Sequence, residues 1–347
     1  MMAIWPEWDA QITRKQDDVL TTIRDVAREA GVGVGTVSRV LSGHASVAPA
    51  TRARVQAAME QLDYHPSAVA RALSRRRTDT LEIIMPLFTR EFYVEVLRGI
   101  EEALASTDYA LVIRTVERPQ DRTRAFAQIG RADGIVIVSL TPSASFVKQL
   151  ENAKTPVVLI DAVHPKLPSI DVDHEQAAMS AVMHFIATGH RRIGLIDRAN
   201  DPFGPASESG RQRGYRRALA EAHLPLDRDL EMVASYTAEG GRDGANRLFE
   251  LPDPPTAILT GSDIQAIGVI DAARSRGLAI PGDLAVIGYN DIDISRHIDL
   301  ASVRVPMRAM GKRATELLLL MIEHKPIEEA ITRFPAELII RGTADTP

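Results

Sequence analysis

From Thr80 onward, short runs of aliphatic and β-branched residues alternate with amphipathic helical segments. This alternation constrains the fold more than any other feature of the chain. The runs are LEIIM (81–85), ALVIR (110–114), GIVIV (134–138), PVVLI (156–160), RIGLI (192–196), TAILT (256–260) and LAVIG (284–288). Helical patterns such as EVLRGIEEAL and QAAMSAVMHFIA lie between them. A strand that is apolar on both faces belongs in a sheet covered on both sides, and strand–helix alternation winds such a sheet in parallel. About ten strand–helix units exceed one comfortable doubly wound sheet, so two lobes are expected. A length of 347 residues leaves room for a further small domain.

Thr22 to Leu73 carries a different, all-α pattern. Thr22-x-x-Asp25 is a capping-box-like start, in which the hydroxyl can accept from an exposed backbone N–H. Ile23, Val26, Ala27 and Ala30 follow a helical apolar stripe, and Gly31 stands where a helix C′ glycine belongs. A second short helix runs from Val34 to Leu41 with Val37, Val40 and Leu41 inward, and Ser42-Gly43 ends it. Pro49 suits the first turn of a third helix reaching about Leu62. His65-Pro66 then breaks the chain, Ser67 to Ser74 has the length of one more short helix, and Arg75-Arg76-Arg77 follows.

The first two helices read as a helix-turn-helix, whose second helix lies in the major groove of DNA with its N-terminal residues toward the bases. Its outward face holds Val34, Gly35, Thr36, Ser38 and Arg39. A guanidinium at Arg39 suits guanine O6 and N7, and the hydroxyls of Thr36 and Ser38 suit phosphate oxygens. Gly35 allows close backbone approach. The charge distribution agrees. Net charge is −5, yet residues 19–78 hold nine arginines against four acids, a local +5 that leaves −10 on the remainder. A basic head on an acidic body is expected where one module meets phosphate and the other does not.

The strings A-x-E-A-G-V-x-V-x-T-V-S-R-V-L and Y-x-P-x-A-x-A-x-x-L, followed by ADGIVIV, GHRRIGLI, R-x-x-GY-x-x-AL and VIGYND, resemble the LacI/GalR family of bacterial transcription regulators. The resemblance runs nearly the length of the chain. It implies a helix-turn-helix headpiece with a hinge helix, joined to an α/β periplasmic-binding-protein-like domain of two doubly wound lobes. By family position, Val34, Gly35 and Arg39 face the bases. Ser67–Leu73 is a hinge helix formed when two subunits meet on DNA, with Leu73 as a wedge in the minor groove. Thr22, Thr36, Ser38, Ser67 and Ala70 complete the expected DNA-contacting set. Gly33 and Ala48 stand where many members carry a Ser N-cap, which raises the question of weaker DNA affinity.

The resemblance further implies that a small effector is clamped between the lobes, beyond the carboxyl ends of the strands. Asp161, Arg211, Ser262 and Asp291 match the family's polar effector contacts. Phe92, Phe203 and Tyr236 are the aromatic candidates for packing on a sugar ring. Members often carry Asn at position 262 and Asp at position 290, where this chain has Ser and Asn. The expected organisation is a mobile tail over residues 1–20, the helix-turn-helix domain over 21–65, hinge and linker over 66–79, and the effector domain over 80–347. Lobe 1 is expected at about 80–172 and 307–329, and lobe 2 at about 173–306 and 330–343, with crossings near 172, 306 and 329.

Other chemistries have little support. There is no cysteine, so disulfides, thiolate metal sites and cysteine nucleophiles are excluded, in accord with a reducing cytoplasm. The nine histidines lack metal-ligand spacing, and Gly31-x-Gly33-x-Gly35 lacks the preceding strand and spacing of a nucleotide loop. No P-loop, HExxH or GxSxG motif occurs. No enzyme activity, cofactor or metal is expected, and the N-terminus lacks a basic-then-apolar signal pattern. The expectation is a cytoplasmic, homodimeric, operator-binding transcription regulator, most naturally a repressor, controlled by a carbohydrate. The tail GTADTP has no leucine heptad of the kind that tetramerises family members. A purine, nucleoside or protein co-effector is the alternative within this architecture, and a solute-binding protein that does not bind DNA is the alternative outside it.

Overall fold

The computed structural model describes residues 21–42, 44, 46–64, 77–86, 90–116, 132–198 and 209–345. The chain divides into two compact units, Met1–Thr78 and Asp79–Pro347. The expected tail, the hinge positions Ser67, Ala70 and Leu73, and Phe203 lie outside the described residues.

The first unit contains α1 (Ile23–Glu29), α2 (Val34–Leu41) and α3 (Pro49–Gln61). Its core is small and aliphatic: Val26, Ala27, Ala30, Val37, Val40, Val55 and Ala58, ringed by half-buried Ile23, Leu41, Met59, Leu62 and Tyr64. The turn between α1 and α2 depends on Gly31, whose φ of +62° is left-handed. It lets Val32 N–H reach Ala27 O at 3.0 Å and Gly31 N–H reach Arg28 O at 3.3 Å, the paired bonds that close a Schellman turn. The capping box at α1 forms, with the Asp25 carboxylate accepting the Thr22 N–H at 3.0 Å, and the same carboxylate accepts the Thr22 hydroxyl at 2.7 Å. Gly33 and Ala48 are the N-caps of α2 and α3, and neither supplies a side-chain cap.

The second unit begins with β1 (Thr80–Met85), α4 (Glu91–Leu104), β2 (Ala110–Thr115), β3 (Gly134–Val138), α5 (Ala144–Ala153), β4 (Val157–Ile160) and β5 (Ser169–Val172). It continues through α6 (His174–Ala187), β6 (Ile193–Asp197), α7 (Gly210–Glu221), β7 (Glu231–Val233), α8 (Ala238–Phe249), β8 (Ala257–Thr260), α9 (Asp263–Ser275), β9 (Ala285–Asn290), α10 (Asp293–His297) and β10 (Ala301–Arg304). It closes with α11 (Met307–Ile322), β11 (Ile331–Phe334) and β12 (Glu337–Ile339). Among the described residues these strands form two six-stranded sheets, ordered β11-β5-β4-β3-β1-β2 and β12-β10-β9-β8-β6-β7. Every pairing is parallel except β10 with β12. β3 and β4 are buried along their whole length, as strands covered on both faces must be.

The chain passes between lobes after Val172, between Arg304 and Met307, and between Phe334 and Glu337. The expected positions were near 172, 306 and 329. The third falls a few residues beyond 329, because Ile331–Phe334 pairs in parallel with β5 and so belongs to lobe 1. Its burial alternates between exposed and half-buried, as befits an edge strand, and it carries no apolar run for sequence reading to detect.

Candidate functional site

On the first unit, Val34, Gly35 and Arg39 of α2 are exposed and Thr36 and Ser38 half-buried, while Val37 and Val40 face the core. Val34, 41 % exposed, is an apolar side chain at the helix start with no place in the core. The loop after α2 is held by Arg52 of α3, which donates to His44 O at 2.9 Å and Val40 O at 3.5 Å. That arginine satisfies carbonyls at the end of α2 and was not anticipated from sequence.

On the second unit, a cavity of about 310 Å³ lies where strands of both sheets end. Its lining includes Phe92, Asp161, Arg211, Tyr236 and Ser262 of the expected set, with His174, Asn290 and Asp263 beside them. Asp161 and Asn290 stand at or just past carboxyl ends of strands with φ of 56° and 102°, and Ser139, just after β3, has φ 52°. Asn and Asp tolerate left-handed backbone better than most residues, and such conformations concentrate at ligand sites.

The polar contacts form two groups. In the first, Asp161 accepts from the Ser139 hydroxyl at 2.7 Å and pairs with His174 Nε2 at 2.8 Å, and His174 Nδ1 meets the Tyr289 hydroxyl at 2.8 Å. Burial opposes ionisation of Asp161, but the His174 hydrogen bond and charge, the Ser139 hydroxyl and Arg211 outweigh it, and the carboxyl sits below its usual range. In the second, Arg211 Nε donates to Asp197 Oδ1 at 3.2 Å, Arg211 Nη2 donates to the Tyr236 hydroxyl, and Tyr236 donates to Asp197 Oδ1 at 2.8 Å. The Arg211 guanidinium lies 5.1 Å from the Tyr289 ring and 5.6 Å from the Tyr236 ring, linking the groups. Burial and the neighbouring Asp197 carboxylate raise the Tyr236 hydroxyl well above its ordinary value despite Arg211, so it is a neutral donor.

Three expected residues have other occupations. The Ser262 hydroxyl caps α9 by accepting from Gln265 N–H at 3.2 Å, though the residue lines the cavity. Phe92 packs edge-on to Tyr93 at 5.3 Å as it lines the cavity. Asp291 is absent from the lining. The chain turns left-handed there, φ 55°, and its carboxylate meets Arg304 Nε at 2.8 Å and Arg341 Nη1 at 2.7 Å. The paired arginines account for its placement, and its neighbour Asn290 lines the cavity instead.

Asp197, His174, Tyr289 and Ser139 were missed by sequence reasoning. The signal for Asp197 was present: PVVLID and RIGLID are parallel strings in the two halves, each with an aspartate at or just past the strand's end. His174 opens a helix and Tyr289 lies inside an apolar strand, positions with no distinctive pattern.

The chain is 35 % identical to catabolite control protein A of Priestia megaterium over 327 residues, covering 92 % of this chain and 98 % of the relative. The chain belongs to the LacI family. Residues 22–67 match the lacI family of bacterial regulatory proteins, and residues 182–344 match a periplasmic-binding-protein-like domain. A lac repressor dimer bound to operator and the anti-inducer ONPF is similar at a TM-score of 0.81 and 25 % identity, over 93 % of this chain and 99 % of that one. A complex of the transcriptional regulator CelR with cellobiose is similar at a TM-score of 0.68 and 29 % identity, over the same shares, 93 % and 99 %. As a LacI-family protein, the chain is a ligand-controlled DNA-binding regulator with its two functions in separate units. Among the described residues no helix is long and apolar enough to cross a membrane.

Proposed function

We propose that the chain represses transcription from a pseudo-palindromic operator as a homodimer, and that a saccharide in the cavity sets its affinity for that DNA. The single observation that carries the saccharide reading is the pairing of opposite hydrogen-bonding characters across about 310 Å³: Asp161 is a pure acceptor and Arg211 a pure donor. A sugar hydroxyl serves both at once, donating to one and accepting from the other. Tyr236 and Phe92 supply aromatic surface to the cavity wall. The size lies at the small end of ligand pockets, about 300–1,000 Å³. The similarity to CelR with cellobiose supports the same class.

Control works through linkage. Asp161 belongs to lobe 1, while Arg211, Tyr236 and Asn290 belong to lobe 2, so a ligand touching both changes how the lobes close. That closure biases the hinge segments, in which Ser67, Ala70 and Leu73 contact DNA together with Thr22, Val34, Gly35, Thr36, Ser38 and Arg39 of the headpiece. Reciprocity requires DNA to alter ligand affinity by the same factor.

A thermal-shift panel of carbohydrates and nucleosides on the full chain tests this reading, since a ligand of the folded state raises apparent stability by mass action. A concentration-dependent rise with a saccharide, absent in Arg211→Gln, is the expected result. A rise with nucleosides alone replaces the saccharide with a purine or nucleoside effector.

A further inference from the structure

We propose that Asp197 sets the charge class of the effector: by holding Arg211 as an internal ion pair, it makes the cavity a site for an uncharged polyhydroxyl molecule and closes it to phosphorylated or carboxylate ones. The inference rests on the reading of the cavity as the effector site.

Asp197 ends β6 and is 1 % exposed. Its oxygens accept from Ser209 Oγ at 2.8 Å, Tyr236 OH at 2.8 Å, the Arg198 N–H at 2.8 Å, and Arg211 Nε at 3.2 and 3.3 Å. A carboxylate served by that many donors has little capacity left for a ligand. Asp197 therefore acts through Arg211 and is a positioning residue. Space has been cleared for it. A Cβ at Gly261 would overlap Asp197 Oδ1 and crowd the Tyr236 ring, so only glycine lets carboxylate and phenol meet there.

The consequence concerns Arg211. Burial works against its charge, but Asp197 first, then Tyr236, Tyr289 and Asp161, hold the guanidinium ionised beyond its ordinary range. Its counter-charge is thus part of the protein. A phosphate or carboxylate entering the cavity would bring another negative group toward both Asp197 and Asp161, and like charges out of water are strongly unfavourable. Arg90 and Arg198 also line the cavity, as do the acids Glu91 and Asp161. Arg90 is engaged besides over the Tyr236 ring at 5.4 Å. A neutral polyol meets none of this repulsion. Its hydroxyls accept from the Arg211 N–H groups that Asp197 and Tyr236 leave, and donate to Asp161.

Titration of the full chain with sodium sulfate at constant ionic strength, followed by calorimetry, tests the proposal without knowledge of the natural effector. Asp197→Asn keeps the shape and an acceptor oxygen but removes the charge. Wild type is expected to give no saturable sulfate binding. Asp197→Asn is expected to bind sulfate saturably, at least about tenfold more tightly than the limit set by wild type, one charge-assisted contact having become available, and Asp197→Asn/Arg211→Gln to lose the gain. If Asp197→Asn does not show a cooperative unfolding transition, Asp197→Ser makes the same comparison. Saturable sulfate binding by wild type equal to the variant's, or no gain on removing the charge, overturns the proposal. Failure of every saccharide to shift the wild-type transition would instead retire the effector reading of the cavity, a result separate from the sulfate comparison.

Discussion

Carboxylates at strand ends dominate the residue scale, and each has a different fate. Asp161 is held ionised by its neighbours and Asp197 is ringed by donors, whereas burial dominates at Asp263. It is buried at the start of α9, accepting from Ser302 Oγ at 2.5 Å and from Ile292 N–H at 2.8 Å. Burial pushes its carboxyl up to about 7 despite those bonds. Because this lies above the unfolded value near about 4, the folded chain holds a proton that the unfolded chain releases. The associated stability is full below the unfolded value and is lost as pH rises through about 7. Asp263→Asn should remove this dependence, so its melting temperature relative to wild type should climb between about pH 5 and about pH 8. A constant difference across that range would show that Asp263 does not titrate there. Asp161 was legible because it stands just beyond an apolar strand, where doubly wound sheets bind ligands, and Arg211, in the first turn of α7, only through the family resemblance. Asp291 was not, since the left-handed turn and the attraction of Arg304 and Arg341 are tertiary facts.

Among the elements, the helix ends and helix crossings carry the tests. Ala48 caps α3 with extended backbone and no side-chain bond. Ala48→Ser should raise headpiece stability by about 1 kcal/mol in denaturant unfolding, and Gly33→Ser by only a few tenths of a kcal/mol, since glycine is already a tolerable cap. Equal gains would mean that capping is not the operating cause. In lobe 1, α4 and α11 cross through glycine: a Cβ at Gly99 would overlap Arg308 O, and one at Gly311 would overlap Val96 O. Gly99→Ala should cost about 1–3 kcal/mol by overpacking, and a neutral outcome would contradict so close an approach. The seven apolar runs visible in the sequence became β1, β2, β3, β4, β6, β8 and β9. The strands that escaped notice, β5, β7, β10, β11 and β12, have three or four residues each and mix polar with apolar positions. Their strand identity comes from neighbours already in the sheet, which no local pattern records.

The whole molecule joins a basic headpiece in sequence to a two-lobed domain whose cavity is lined from both lobes, with the proposed hinge residues between them along the chain. Leu73→Ala should weaken specific operator binding by removing the proposed minor-groove wedge, and undiminished affinity in a DNA-binding titration would dismiss that role. Control of DNA affinity by one ligand, proposed to be held by Arg211 and Asp161, is measurable by fluorescence anisotropy with a duplex selected from a random pool, with and without the saccharide that gives the largest thermal shift. The quantity to compare is the ratio of the two dissociation constants in wild type and in Arg211→Gln. The expected ratio in wild type is about 5–150, or its inverse for a corepressor, and near one in the variant. A wild-type ratio near one, or an unchanged ratio in the variant, would contradict it.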